Sequence, residues 1–171
     1  MILGMSTVTY TFLHVFISLI GIGSGLAVIY GFLTGRRFDR VTALFLVTTV
    51  LTSVTGFGFP FEHLLPSHKV GIISLIVLAI AIPARYVFHL NHAWRWIYVV
   101  SASTALYLNV FVLVVQLFRK VPALTALAPT QTEAPFLLVQ TIVFAIYIAL
   151  TMLGVKNFLV EPDELPRLKA A

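Results

Sequence analysis

The chain has no cysteine and only six Asp and Glu residues among 171. The missing thiol excludes disulfides, Cys-ligated zinc, Cys-ligated iron–sulfur clusters and thiol catalysis. Charge of either sign is scarce, at 10% of residues against 60% hydrophobic, with a mean hydropathy of +1.03. Soluble domains carry roughly 25% charged residues, because a folded surface needs them for solvation. A deficit this large implies a surface that faces lipid. The net charge of +5 is then read as loop and headgroup anchoring by Lys and Arg, not as a nucleic-acid interface. A basic stretch before Val8 is also missing, and the apolar run Val8–Leu33 exceeds the h-region of about 7–15 residues of a signal peptide. It reads as a retained span.

What is present is a series of apolar runs. Crossing a hydrocarbon core about 30 Å thick takes about 20 such residues. Five stretches qualify, at 8–33, 41–59, 70–88, 96–118 and 136–158, with a short charged tail over 159–171. The expectation is a single all-α domain: an integral membrane bundle of about five transmembrane helices. With the N-terminus outside, the inner segments hold Arg36, Arg37, Arg40, Arg85, Arg95, Lys156, Arg167 and Lys169, and the outer ones only Lys69, Arg119 and Lys120. That asymmetry favours N-out, C-in. Trp94, Trp96, Tyr86 and Tyr98 then mark the inner headgroup level, and Tyr10, Phe59, Phe61 and Phe136 the outer one.

In the first span Gly23, Ala27 and Gly31 recur every four residues. Small residues at that spacing let helix backbones approach closely. The row is expected to pack against another helix, of this chain, of a second copy or of a larger membrane complex.

Ionisable groups are costly in lipid, so their positions carry information. No Asp, Glu, Lys or Arg falls near the middle of a span, which argues against a proton pump or charge carrier built on buried carboxylates. The softer polar groups gather in the outer half. His14 and Ser18 lie on the first span, and Thr48, Thr49, Thr52, Ser53 and Thr55 on the second. Glu62, His63 and His68 occupy the outer connection, Asn109 lies near the midplane, Gln116 closes the fourth span and Gln140 opens the fifth. Each hydroxyl alone is accounted for by a bond to its own helix. Together they outline a site.

Neutral imidazole ligates haem iron, zinc or copper, and a carboxylate can join it. The candidate metal set is His14, Glu62, His63 and His68, with Asn109, Gln116 and Gln140 as supporting hydrogen-bonders. His14, about one turn inside the hydrocarbon, needs a partner, and His68, Glu62 and Gln140 are the expected ones. His89 and His92 share a face with each other if their helix continues, but a headgroup belt with Arg85, Asn91, Trp94 and Arg95 is the simpler account.

The segments LTSVTGFGFPFEHLLPSHKVGIISL (51–75), AWRWIYVVSASTALYLNVFVLVVQLF (93–118) and KVPALTALAPTQTEAPF (120–136) resemble small multi-pass bacterial inner-membrane proteins of unassigned function. The resemblance implies fold and location only. A fainter similarity in layout points to helical cytochrome b-type proteins, from which the chain departs because no helix carries two histidines about four turns apart. Three functions remain open. The leading one is a bundle binding haem, a metal or a quinone-like lipid in its outer half. The others are a non-catalytic accessory subunit or assembly factor, and a small-solute channel or carrier.

Overall fold

The computed structural model describes Ile2, residues 4–59 and residues 66–158. Among them it shows α-helices and no strand: α1 (Thr7–Thr34), α2 (Asp39–Gly56), α3 (Pro66–Tyr86), α4 (Trp94–Lys120), α5 (Pro122–Leu127) and α6 (Ala134–Phe158). Four of the long helices, α1, α3, α4 and α6, are long and apolar enough to cross a membrane. The fifth, α2, has 18 residues, or about 27 Å at roughly 1.5 Å per residue. It is less apolar because its buried positions include the hydroxyls of Thr42, Thr48, Thr49 and Ser53. It packs against α1 and α3 and touches α4.

Helix ends follow local chemistry. Ser6 caps α1 by accepting the Thr9 N–H at 3.1 Å, and Gly35 ends it in a left-handed conformation at φ 66°. α2 begins at Asp39, whose carboxylate suits a helix N-terminus, and stops at Gly56 instead of running on to Phe59. α3 starts at Pro66, four residues before the apolar run, since a proline in the first turn forfeits no helical hydrogen bond. The connection between α4 and α6 contains the short α5, opened by Pro122. Between α3 and α4, His89, Leu90 and His92 all have left-handed φ of 49°, 60° and 48°. The helix does not continue there, so His89 and His92 do not share a face. Trp94 instead stacks on Phe88 with centroids 3.8 Å apart.

The core lies toward the Arg-rich end of the bundle, which holds the α1–α2 and α3–α4 connections. α1 presses there on α2 and α4 through Gly25, where an added Cβ would lie 2.6 Å from Leu106 Cδ1 and 2.9 Å from the Phe45 ring. Tyr98 and Phe45 are fully buried beside it, and Phe32 meets Tyr98 edge to face at 5.5 Å. α6 closes this end: Asn157 Nδ2 donates to the Leu33 carbonyl at 2.8 Å, and Phe158 packs on Phe32.

Within this chain the Gly23–Ala27–Gly31 row forms no close helix–helix seam. Gly31 is buried, but against Arg36 and Phe38 of its own following connection. Gly23 is exposed, with open space where a Cβ would stand. Within this chain the close seam therefore runs through Gly21 and Gly25, and the face carrying Gly23 has no partner among the described residues.

Arg85, near the C-terminal end of α3, pairs with Asp39 at the start of α2. Its guanidinium also lies 5.3 Å from the centroid of the Tyr98 ring and 5.8 Å from that of Tyr86. The Arg side chain is 7% exposed and the Asp 83%.

Candidate functional site

At the end opposite the arginines the bundle is splayed. The last turns of α1 are held to α6 (Phe32, Leu33), whereas its first three turns are mostly exposed, including Val8, Phe12, Val15 and Phe16. Two hydrogen bonds, both to Thr55, tie this part of α1 to α2. Tyr10 donates its hydroxyl to the Thr55 carbonyl at 2.8 Å, and His14 Nδ1 lies 2.7 Å from Thr55 Oγ1. A side chain on Gly58 would overlap the Tyr10 hydroxyl, so the glycine leaves room for the first contact. Phe59 packs edge-on against both rings, at 5.1 Å from Tyr10 and 5.2 Å from His14.

The gap is a cavity of about 570 Å³ walled by α1, α2, α3 and α4. Its apolar wall includes Leu19, Ile22, Leu108 and Val112; its polar groups include His14, Ser53, Ser74, Asn109, Gln116 and Lys120. Along α4 the row from Asn109 to Lys120 runs about 16 Å at roughly 1.5 Å per residue. Exposed Val15, Leu19 and Leu117 are part of the lining, so the cavity opens on the flank of the bundle.

Most hydroxyls here are already satisfied. Ser18 donates to the His14 carbonyl at 2.7 Å, and Ser53 donates to the Thr49 carbonyl at 2.9 Å with its oxygen 3.1 Å from that of Ser74. Asn109 Nδ2 points at Thr49 Oγ1 over 3.4 Å, a weak bond. Thr52 Oγ1 is buried with no protein partner.

The structure brings together three of the expected site residues: His14, Asn109 and Gln116 all line the cavity. Gln140 does not. It lies in the α4–α6 seam, buried, and donates to the Phe111 carbonyl at 3.2 Å. His68 is buried and stacks on Phe57 at 5.6 Å, and it is not among the lining residues. Glu62 and His63 lie outside the described residues. Among the described residues the His14 partner is Thr55, not His68 or Gln140. Among the described residues no three of His, Asp and Glu gather as a metal site would require.

Ser74 and Lys120 belong to the wall although their positions alone did not single them out. Ser74 is the one hydroxyl between Val70 and Ala84, a signal available in the sequence. Lys120 stands four residues after Gln116, on the same helical face.

Compared with protein-family models, curated proteins and solved structures, the chain matches none of them.

Proposed function

We propose that this protein binds a quinone-like lipid in the cavity between α1, α2, α3 and α4. The carrying observation is the wall itself: an apolar surface with an imidazole, two amides and the Lys120 ammonium set along it, and no Asp or Glu among the described lining residues. Its volume falls in the range of about 300–1,000 Å³ that small-molecule sites occupy, with a few placed polar groups in an apolar lining. The polar ring of the lipid is held among His14, Asn109 and Gln116, and an isoprenoid or alkyl chain leaves past Val15, Leu19 and Leu117. A lipid-soluble ligand reaches such a site from the bilayer without crossing water. Haem or metal ligation draws less support, because His14 is the lone histidine on the described wall.

The membrane is a bacterial inner membrane in this proposal, with the cavity end outside. Six basic residues of the described chain (Arg36, Arg37, Arg40, Arg85, Arg95, Lys156) lie toward one end and three (Lys69, Arg119, Lys120) toward the other, which supports N-out orientation. The test is organic extraction and mass spectrometry of the detergent-purified protein, followed by titration with a short-chain quinone. A co-purifying quinone or saturable binding supports the proposal. Absence of both, or a Soret band or stoichiometric metal in their place, overturns it. A stably co-purifying membrane complex without bound lipid points to the accessory-subunit alternative.

A further inference from the structure

The hydrogen-bond sense of His14 in the cavity follows from one residue outside it. Thr55 has a single hydroxyl proton, and its Oγ1 lies 2.7 Å from the Leu51 carbonyl and 3.3 Å from the Thr52 carbonyl. A helical threonine commits its proton to the preceding turn in this way. A carbonyl cannot donate, so Thr55 is the donor in both contacts. Its remaining capacity is as an acceptor, and the 2.7 Å approach of His14 Nδ1 must then be a donation from the imidazole. In the neutral ring one nitrogen carries the proton and the other a lone pair. With Nδ1 protonated, Nε2 is the acceptor, and His14 lines the cavity.

From this geometry we infer that His14 presents a hydrogen-bond acceptor to the cavity. The site therefore takes the hydroxylated, quinol form of its lipid in preference to the quinone. The inference rests on the quinone-lipid proposal and adds the oxidation state to it. A quinol O–H donates to Nε2, whereas a quinone carbonyl set against the same lone pair meets repulsion and leaves a desolvated acceptor unpaired. Asn109 adds a second acceptor: one of its two amide N–H groups is directed at Thr49, and its carbonyl oxygen is open to a ligand hydroxyl. Thr55 is a positioning residue here. It touches no ligand and acts by holding the His14 tautomer.

The experiment uses the full-length protein in detergent under anaerobic conditions, titrated with decyl-quinol and decyl-quinone that share one tail. The wild type should bind the quinol about tenfold or more tightly, the scale of one buried polar mismatch. Thr55→Val, which removes the acceptor but keeps the shape, should move the two affinities toward equality, and Thr55→Ser should keep the preference. In the unliganded wild type, ¹⁵N NMR of labelled histidine should show an Nδ1–H ring for His14. This readout needs no variant to fold. Equal affinities in the wild type, or an Nε2–H ring, overturn the quinol preference and leave the lipid site standing. Binding of neither form overturns both.

Discussion

His14 Nδ1 lies 2.7 Å from Thr55 Oγ1, and the same threonine accepts the Tyr10 hydroxyl on its carbonyl. One residue of α2 thus holds the splayed part of α1 at two points, four residues apart on one helical face. Individual hydrogen bonds of this kind contribute about 0.5–1.5 kcal/mol. Tyr10→Phe should therefore lower stability by about 1 kcal/mol and raise hydrogen exchange in the first three turns of α1, with little change in α4 or α6. Exchange mass spectrometry in detergent checks the localisation. Uniform loosening of all helices would refute the tether.

Glycine positions on α1 should separate cleanly. Gly25→Ala pushes a Cβ into Leu106 and the Phe45 ring, an overpacking that costs about 1–3 kcal/mol. Gly23→Ala meets nothing and replaces a poor helix former, so it should be neutral or stabilising by up to about 1 kcal/mol. Gly31→Leu should disrupt folding through the Arg36–Phe38 connection, not through loss of an oligomer. Thermal unfolding of the three variants, with size-exclusion chromatography, tests the order.

The Arg85–Asp39 pair is asymmetric, and the two truncations should be too. Asp39 is 83% exposed, so solvent screens its share, and Asp39→Asn should cost no more than about 1 kcal/mol. Arg85→Ala also removes a buried side chain packed on Tyr98, a loss on the order of 2–4 kcal/mol. Equal melting shifts for the two variants would contradict this division.

Two glutamines test the boundary of the site. Gln116→Leu should weaken binding of a short-chain quinol severalfold, because the side chain lines the cavity. Gln140→Leu should leave that affinity unchanged, since Gln140 bonds Phe111 in the α4–α6 seam. Comparable losses from both would move the site toward α6.

Glu133, on the connection before α6, gives a pH handle. Desolvation raises its carboxyl, but hydrogen bonds from Thr130 N–H, Thr130 hydroxyl and Thr132 N–H outweigh it and hold the group below its ordinary value. A depressed folded value means the contribution is fully present above the ordinary carboxylate range and is lost as pH falls through the folded value. Glu133→Gln should therefore flatten the acid limb of the stability profile, read by thermal melting across pH 3–6, about the carboxylate range.

The number and position of the long helices were legible from the chain alone. Lipid accepts backbone only when each segment satisfies its own hydrogen bonds, so about 20 apolar residues in a row report a helix without reference to any other. The expected spans and α1, α3, α4 and α6 agree to within four residues. The low apolarity of α2 was visible as its threonines, yet the reason, burial against α1 and α3, was not. Local depth also put His14, Asn109 and Gln116 in one half of the bundle. It could not say which side chains meet, because that depends on how each helix is rotated and tilted. Gly25 against Leu106 and Phe45 fixes which face of α1 meets α2 and α4. Gln140 turned into the α4–α6 seam by the same kind of packing, and His14 met Thr55 instead of the more ligand-like His68. Those contacts join residues tens of positions apart in sequence, so only the packed bundle decided them.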